Sequence, residues 1–241
     1  METRIDHITG GIYRISTLTD AYGITFNQFL IDDERPALIH TGEHGAYEAV
    51  RGAISEVLDP KTLAYVALLH WEGDENGGME RFLADAPAAE LVGSALSIQL
   101  NAYGFGMQER VLGFQDGQTL DLGRHTLRFL ETPHVHHWDS MMVFEETTQS
   151  LFPADLYLQP GDQPPLVSEN LSEAMLEVYR AVGMEDEHRL AIHASSDPGC
   201  PIGRRIQGAL DTLIGAAENA FEAELGRRTL SDVMRLIGPL G

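Results

Sequence analysis

The sequence predicts an α/β protein in which two β-sheets pack against each other and helices cover the outside. Three observations lead there. β-Forming segments recur in both halves of the chain, each half closes with segments of helical periodicity, and no internal repeat or low-complexity tract interrupts them. With 241 residues and 43% hydrophobic side chains there is enough apolar surface for one large core, so one domain spanning 1–241 is expected.

Taken in order, residues 5–15 alternate apolar with polar side chains, and 25–31 are rich in β-formers and end at the turn Asp32-Asp33-Glu34-Arg35-Pro36; both read as strands. Residues 37–42 form a short apolar strand closed by Gly42, followed by helical spacing over 46–57 and the stop Asp59-Pro60. The apolar run 63–69 reads as a buried strand that opens into the polar stretch 70–78, and a helix over 79–84 ends near Pro87. Helical spacing returns over 96–103 and flows into Gly104-Phe105-Gly106. Strands follow at 118–121 and 126–131, around the turns Asp116-Gly117 and Leu122-Gly123, and again at 141–144 and 150–153. After a proline-rich loop over 159–165, residues 172–182 read as helix, 189–193 as a last apolar strand, and 204–225 and 230–237 as helices.

Sixteen Lys and Arg against thirty-seven Asp and Glu give a formal charge of −21, which repels nucleic-acid phosphates and anionic membrane surfaces. Neither partner is expected. The single cysteine, Cys200, has no internal disulfide partner, and the opening METRIDHITG lacks the basic and apolar regions of a signal peptide, so a cytoplasmic chain is expected. The longest apolar stretches, such as 63–71, fall well short of the roughly 18–20 residues that span a bilayer.

Against this background stand ten histidines among many carboxylates. His70-Trp71-Glu72-Gly73-Asp74-Glu75 ends a hydrophobic strand, where alternate side chains converge, so His70, Glu72 and Asp74 present one nitrogen and two carboxylate donors to a metal. Alone, these residues describe a solvated acidic loop equally well. Further segments shift the reading toward metal. Thr132-Pro133-His134-Val135-His136-His137-Trp138-Asp139-Ser140 follows another strand, Asp155 follows Leu151-Phe152, and His193 follows Leu190-Ala191-Ile192.

The order HxExD, a histidine ahead of DSM, LFxxD, and an isolated histidine after a strand resembles the metallo-β-lactamase superfamily. Within it, the chain is most similar to the di-iron domain of flavodiiron proteins and their stand-alone oxygen-binding relatives. The resemblance covers nearly the whole chain, including 25–31, the strand pair around 117–123 and Leu151-Phe152-Pro153-Ala154-Asp155. It implies an αββα sandwich of two mixed sheets with helices outside, and two iron ions. Carried over residue by residue, His70, Glu72 and His136 hold one iron, Asp74 and His193 the other, and Asp155 bridges them. His136 is preferred because it stands four residues before Ser140, as the family's histidine does. His134 and His137 are then supporting or surface histidines, with direct metal ligation as the alternative for His137.

The chain departs from the family pattern in three places. Where relatives often have a histidine directly after the HxExD aspartate, this chain has Glu75, which either ligates the second iron or sits in solvent. Where they read Leu-Ile-Asp-Thr, this chain reads Leu38-Ile39-His40-Thr41, and His40 either donates a hydrogen bond to a ligating carboxylate, the preferred role, or reaches an iron. The flavodoxin domain of full-length relatives is not found before Gly241, so no FMN site is expected and electrons are expected from an external reductase. Glu72 replaces the middle histidine of the hydrolases' HxHxDH, and an anionic oxygen donor favours iron over zinc; two iron ions are expected, with zinc or manganese as the alternatives.

The resemblance therefore implies binding of O2 or NO, as a sensor, a carrier or a slow reductase, with a reductase or signalling partner docking and a homodimer forming. A dinuclear metal-dependent hydrolase of an ester, lactone, thioester or phosphodiester is the alternative on the same scaffold. Trp71, Tyr103, Phe105, Trp138 and Tyr157 read as a wall around the site or as plain core.

Overall fold

Two consecutive glycines reverse the chain near its start. Gly10 and Gly11 take φ of 56° and 122°, a region only glycine enters without strain. Residues 5–15 are therefore not one strand but parts of the hairpin β1 (Glu2–Thr9) and β2 (Ile12–Thr19), with Ile5 opposite Ile15 and His7 opposite Tyr13. The computed structural model describes residues 2–19, 23–133, 137–159 and 161–168, with 171 and 174, all inside the unit Met1–Val182. The segments expected at 172–182 (Ala174 excepted), 189–193, 204–225 and 230–237 lie outside the described residues.

β3 (Ile24–Ile31) and β4 (Ala37–Ile39) extend the hairpin antiparallel, and β5 (Tyr65–Ala67), β6 (Glu90–Ser94) and β7 (Val111–Phe114) continue it in parallel, giving a mixed seven-stranded sheet in sequence order. Parallel neighbours require crossovers. α1 (Tyr47–Ile54) joins β4 to β5, α2 (Gly73–Asn76) and α3 (Met79–Asp85) join β5 to β6, and α4 (Ala95–Ser97) with a π turn at Ile98–Ala102 joins β6 to β7. β7 has no counterpart in the sequence reading: Val111-Leu112-Gly113-Phe114 is short and interrupted by Gly113, where a Cβ would lie 2.9 Å from Ala95 Cα. β8 (Thr119–Asp121), β9 (Thr126–Glu131), β10 (Met141–Glu145) and β11 (Ser150–Phe152) form a four-stranded antiparallel meander.

The central strands are buried on both faces, which is why they read as continuous apolar runs rather than alternating ones. Leu38, Val66, Leu68 and Leu91 pack under Val50, Ile54, Phe82 and Leu83 of α1 and α3. Their neighbours Ile39, Ala67, Leu69 and Val92 point the other way, onto Leu127, Phe129, Met141 and Val143 of the second sheet. Helix, sheet, sheet is thus the layering of this unit. Among the described residues no helix is long and apolar enough to cross a membrane.

Candidate metal centre

The ends of β4 and β5 meet through one imidazole. His40, the first residue past β4, has φ of 61°, a left-handed conformation that costs a non-glycine residue about 1–2 kcal/mol. Two bonds hold it there: its N–H donates to the Ala67 carbonyl (2.8 Å), and its Nε2 accepts the Leu69 N–H (3.2 Å). An accepting Nε2 places the proton of the neutral ring on Nδ1, which faces Glu75 Oε1 at 3.7 Å. Burial, reinforced by neighbouring His70, pushes this imidazole down to about 3, so the ring is uncharged at neutral pH.

His70, completely buried at the end of β5, presents Nε2 to three carboxylates: Glu72 Oε2 at 3.3 Å, Glu75 Oε2 at 3.5 Å and Asp155 Oδ2 at 3.5 Å. The alternation expected of an extended loop stops at Gly73, where the chain turns into α2. The helical turn adds a residue to the convergence. Ligand atoms of His70, Glu75 and Asp155 lie within 4.8 Å of one another, as do those of Glu72, Asp74 and Glu75, so Glu75 belongs to both groups. It is 6% exposed, which removes the solvent alternative for this side chain.

Burial, with Asp155, Asp74 and Glu72 close by, pushes the Glu75 carboxyl well above its ordinary value. Its Oε2 and Asp74 Oδ1 are buried with no hydrogen-bond donor reaching them among the described residues. Buried carboxylate oxygens left without donors are costly unless a cation joins them. Mixed carboxylate and imidazole donors suit a divalent cation such as iron or manganese.

Residues that the sequence reading missed hold this cluster in place. Thr41 donates both its N–H and its hydroxyl to the Glu75 carbonyl, each at 2.7 Å, and its Oγ1 accepts the Gly78 N–H at 3.1 Å. At Gly77 a Cβ would lie 2.3 Å from His44 N and 2.7 Å from the Gly73 carbonyl oxygen, so only glycine lets α2 press against the segment after β4. The Thr-Gly after His40 and the Gly-Gly before Met79 were the available signals. Asp155 sits on the single turn Ala154–Tyr157 after β11.

From the second sheet, Met141 N–H donates to the Leu69 carbonyl (2.8 Å), bringing the start of β10 to the end of β5. There the His137 Nδ1 contacts buried Asp139, and its ring centroid lies 6.1 Å from that of His70. The structure thus gathers His70, Glu72, Asp74 and Asp155, adds Glu75, and sets His40 and His137 beside them. His134, His136 and His193 lie outside the described residues. Of the aromatics, Trp71 stacks on Phe105 (5.9 Å), and Tyr103, Phe105 and Tyr157 are exposed rather than core.

Residues 24–193 match the family described as ODP family beta lactamase. The chain is 28% identical over 165 residues to a rubredoxin-oxygen oxidoreductase of Megalodesulfovibrio gigas, covering 65% of this chain and 40% of that one. It is 29% identical over 136 residues to a putative diflavin flavoprotein A 1 of Nostoc sp., covering 56% and 24%. The chain therefore spans about a quarter to two fifths of the length of these relatives. Among solved structures, the rubredoxin oxygen:oxidoreductase from Desulfovibrio gigas superposes with a TM-score of 0.66 at 23% identity, over 73% of this chain and 48% of that one. Fragment 1–254 of a putative diflavin flavoprotein A 5 from Nostoc sp. PCC 7120 gives 0.64 at 19% identity, over 76% and 78%. These likenesses show the metallo-β-lactamase-like fold.

Proposed function

The chain belongs to the ODP family of beta-lactamase-fold proteins, and from that premise we propose that it holds a non-haem di-iron centre that binds O2 or NO. His70, Glu72 and His136 are assigned to one iron, Asp74, Glu75 and His193 to the other, and Asp155 to both. When bound, a ferrous pair supplies electrons and open coordination positions for a diatomic gas. The protein supplies the rest. Four carboxylates, Glu72, Asp74, Glu75 and Asp155, balance the charge of two divalent ions and favour iron over zinc by their hard oxygen donors. His70 and Glu75 are sealed from water, while the Glu72 and Asp155 side chains are 43% and 20% exposed, so a small uncharged ligand enters on their side.

The observation that carries this reading is the convergence of donors from separate segments around the buried Glu75 Oε2 and Asp74 Oδ1, which no hydrogen-bond donor reaches among the described residues. The name of the M. gigas relative pairs rubredoxin with oxygen. For this chain an external electron donor or signalling partner is proposed, together with a homodimer; Leu96, Leu100, Tyr103 and Phe105 expose apolar surface suited to either contact. The test is metal analysis of protein purified without oxygen, followed by rapid mixing of the reduced protein with O2. Two irons per chain and an O2-dependent visible band are expected. Two zinc ions with hydrolysis of a model ester would overturn the proposal in favour of a hydrolase.

A further inference from the structure

We propose that His40 is a positioning residue: its Nδ1–H holds Glu75 Oε1 so that Oε2 is the oxygen turned to the metals. This rests on the dinuclear reading above. His40 and Glu75 are the two side chains at which the sequence departs from the family's ligand neighbourhood, and in the sequence they are unrelated. In the structure they are one contact, 3.7 Å apart, with side chains only 8% and 7% exposed.

The ring cannot serve a metal through Nε2, because that nitrogen accepts the Leu69 N–H, the first amide past β5 that the sheet ladder leaves over. The same bond orients the ring and leaves Nδ1–H as its only donor, aimed at Glu75. The 3.7 Å separation is roughly 0.5 Å beyond a hydrogen bond, within the reach of a small side-chain rotation in a site closed to water. The opposite end of Glu75 is held by the next residue, since Thr41 donates twice to the Glu75 carbonyl. Residues 40 and 41 therefore fix both ends of Glu75 and leave Oε2, which no donor reaches among the described residues, 3.5 Å from His70 Nε2 and inside the group that includes Asp155.

A carboxylate at position 40 would instead face Glu75 with like charge. The imidazole–carboxylate pair is what the site needs, and an exchange of the two partners would move the carboxylate away from the metals and put an imidazole there. The discriminating variants are His40→Asn and His40→Asp, which have the same shape and both tolerate the left-handed backbone, but differ in that Asn donates a hydrogen bond and Asp repels. A third is the exchanged double variant, His40→Asp with Glu75→His.

The readout is anaerobic titration of metal-stripped protein with Mn(II) or Fe(II) alone, giving stoichiometry and affinity, beside the melting temperature of each stripped protein. Wild type and His40→Asn are expected to bind two ions with affinities within about threefold of each other. His40→Asp should weaken one of the two sites by about 10–100-fold, and the double variant should regain most of that loss. His40→Asp binding both ions like wild type, or His40→Asn binding as weakly as His40→Asp, overturns the positioning role while leaving the dinuclear centre intact. Wild type binding no metal overturns the centre and this role with it.

Discussion

Replacing Glu75 by glutamine should move the metal-free and metal-loaded proteins in opposite directions. Glu75 is 6% exposed, and its carboxylate lies within 4.8 Å of ligand atoms of Asp155 in one group and of Glu72 and Asp74 in the other. Two like charges at that distance repel by about 3.5 kcal/mol at an effective dielectric constant of about 20. The metal-free protein escapes part of this by keeping Glu75 protonated, which is the physical content of its raised pKa. That relief is fully present below the ordinary carboxyl value of 4.5 and is lost as pH rises through the raised folded value. Metal-free wild type should therefore lose stability toward pH 8 relative to Glu75→Gln, whose neutral amide also offers donors to the remaining carboxylates. The expected gain is about 1–3 kcal/mol, or roughly 5 °C in Tm for a chain of this length. Calorimetry of stripped protein between pH 5 and 8 should show the two Tm values diverging with pH. Titration with Fe(II) or Mn(II) should show one site weakened at least tenfold. A stripped variant that melts below wild type at pH 8, or one that binds two ions with unchanged affinity, would refute the reasoning.

Gly77→Ala should drive backbone into backbone at His44 and Gly73, lowering stability by about 1–3 kcal/mol and displacing α2 enough to lose metal; Gly52→Ala, with open space around it, should instead stabilise by about 0.5–1 kcal/mol, both read by urea unfolding and metal content. Asp33→Ala should cost about 3–5 kcal/mol by stranding the N–H groups of Glu34, Arg124 and His125 and the His125 ring, while metal content stays unchanged because the turn lies at the far end of β4 from His40. Burial alone would raise the Asp33 carboxyl, but these hydrogen bonds hold it well below the usual range, so its contribution is present above the ordinary carboxyl value of 3.8 and fades as pH falls through the folded one; acid titrations of both proteins should converge at low pH. Reloading stripped protein with metal at about 100 times Kd should add about 2.7 kcal/mol, and no rise in Tm would contradict a site that binds only the folded state.

Much of this protein is legible from local chemistry. Apolar runs buried on both faces mark β4 and β5, and the donors His70, Glu72, Asp74 and Asp155 stand where such runs or short strands end, because a strand end is where backbone and side chains leave the ladder together. The hairpin at Gly10-Gly11 was hidden because an antiparallel reversal through two residues preserves the apparent alternation. β7 was hidden by its shortness and its glycine. Thr41 was marked only by the Thr-Gly that follows His40, which does not name its partner, a carbonyl 34 residues away.

Residue types, their order and the strand ends that carry them were available before any coordinates, because each depends on neighbours within a few positions. Which of those ends meet was not. The burial of Glu75, the proton on His40 Nδ1 and the shared position of one carboxylate between two donor groups arise from sheet order and from the helical turn at Gly73. These are contacts between segments tens of residues apart, and burial there, rather than side-chain identity, decides whether a carboxylate faces water or waits for a cation.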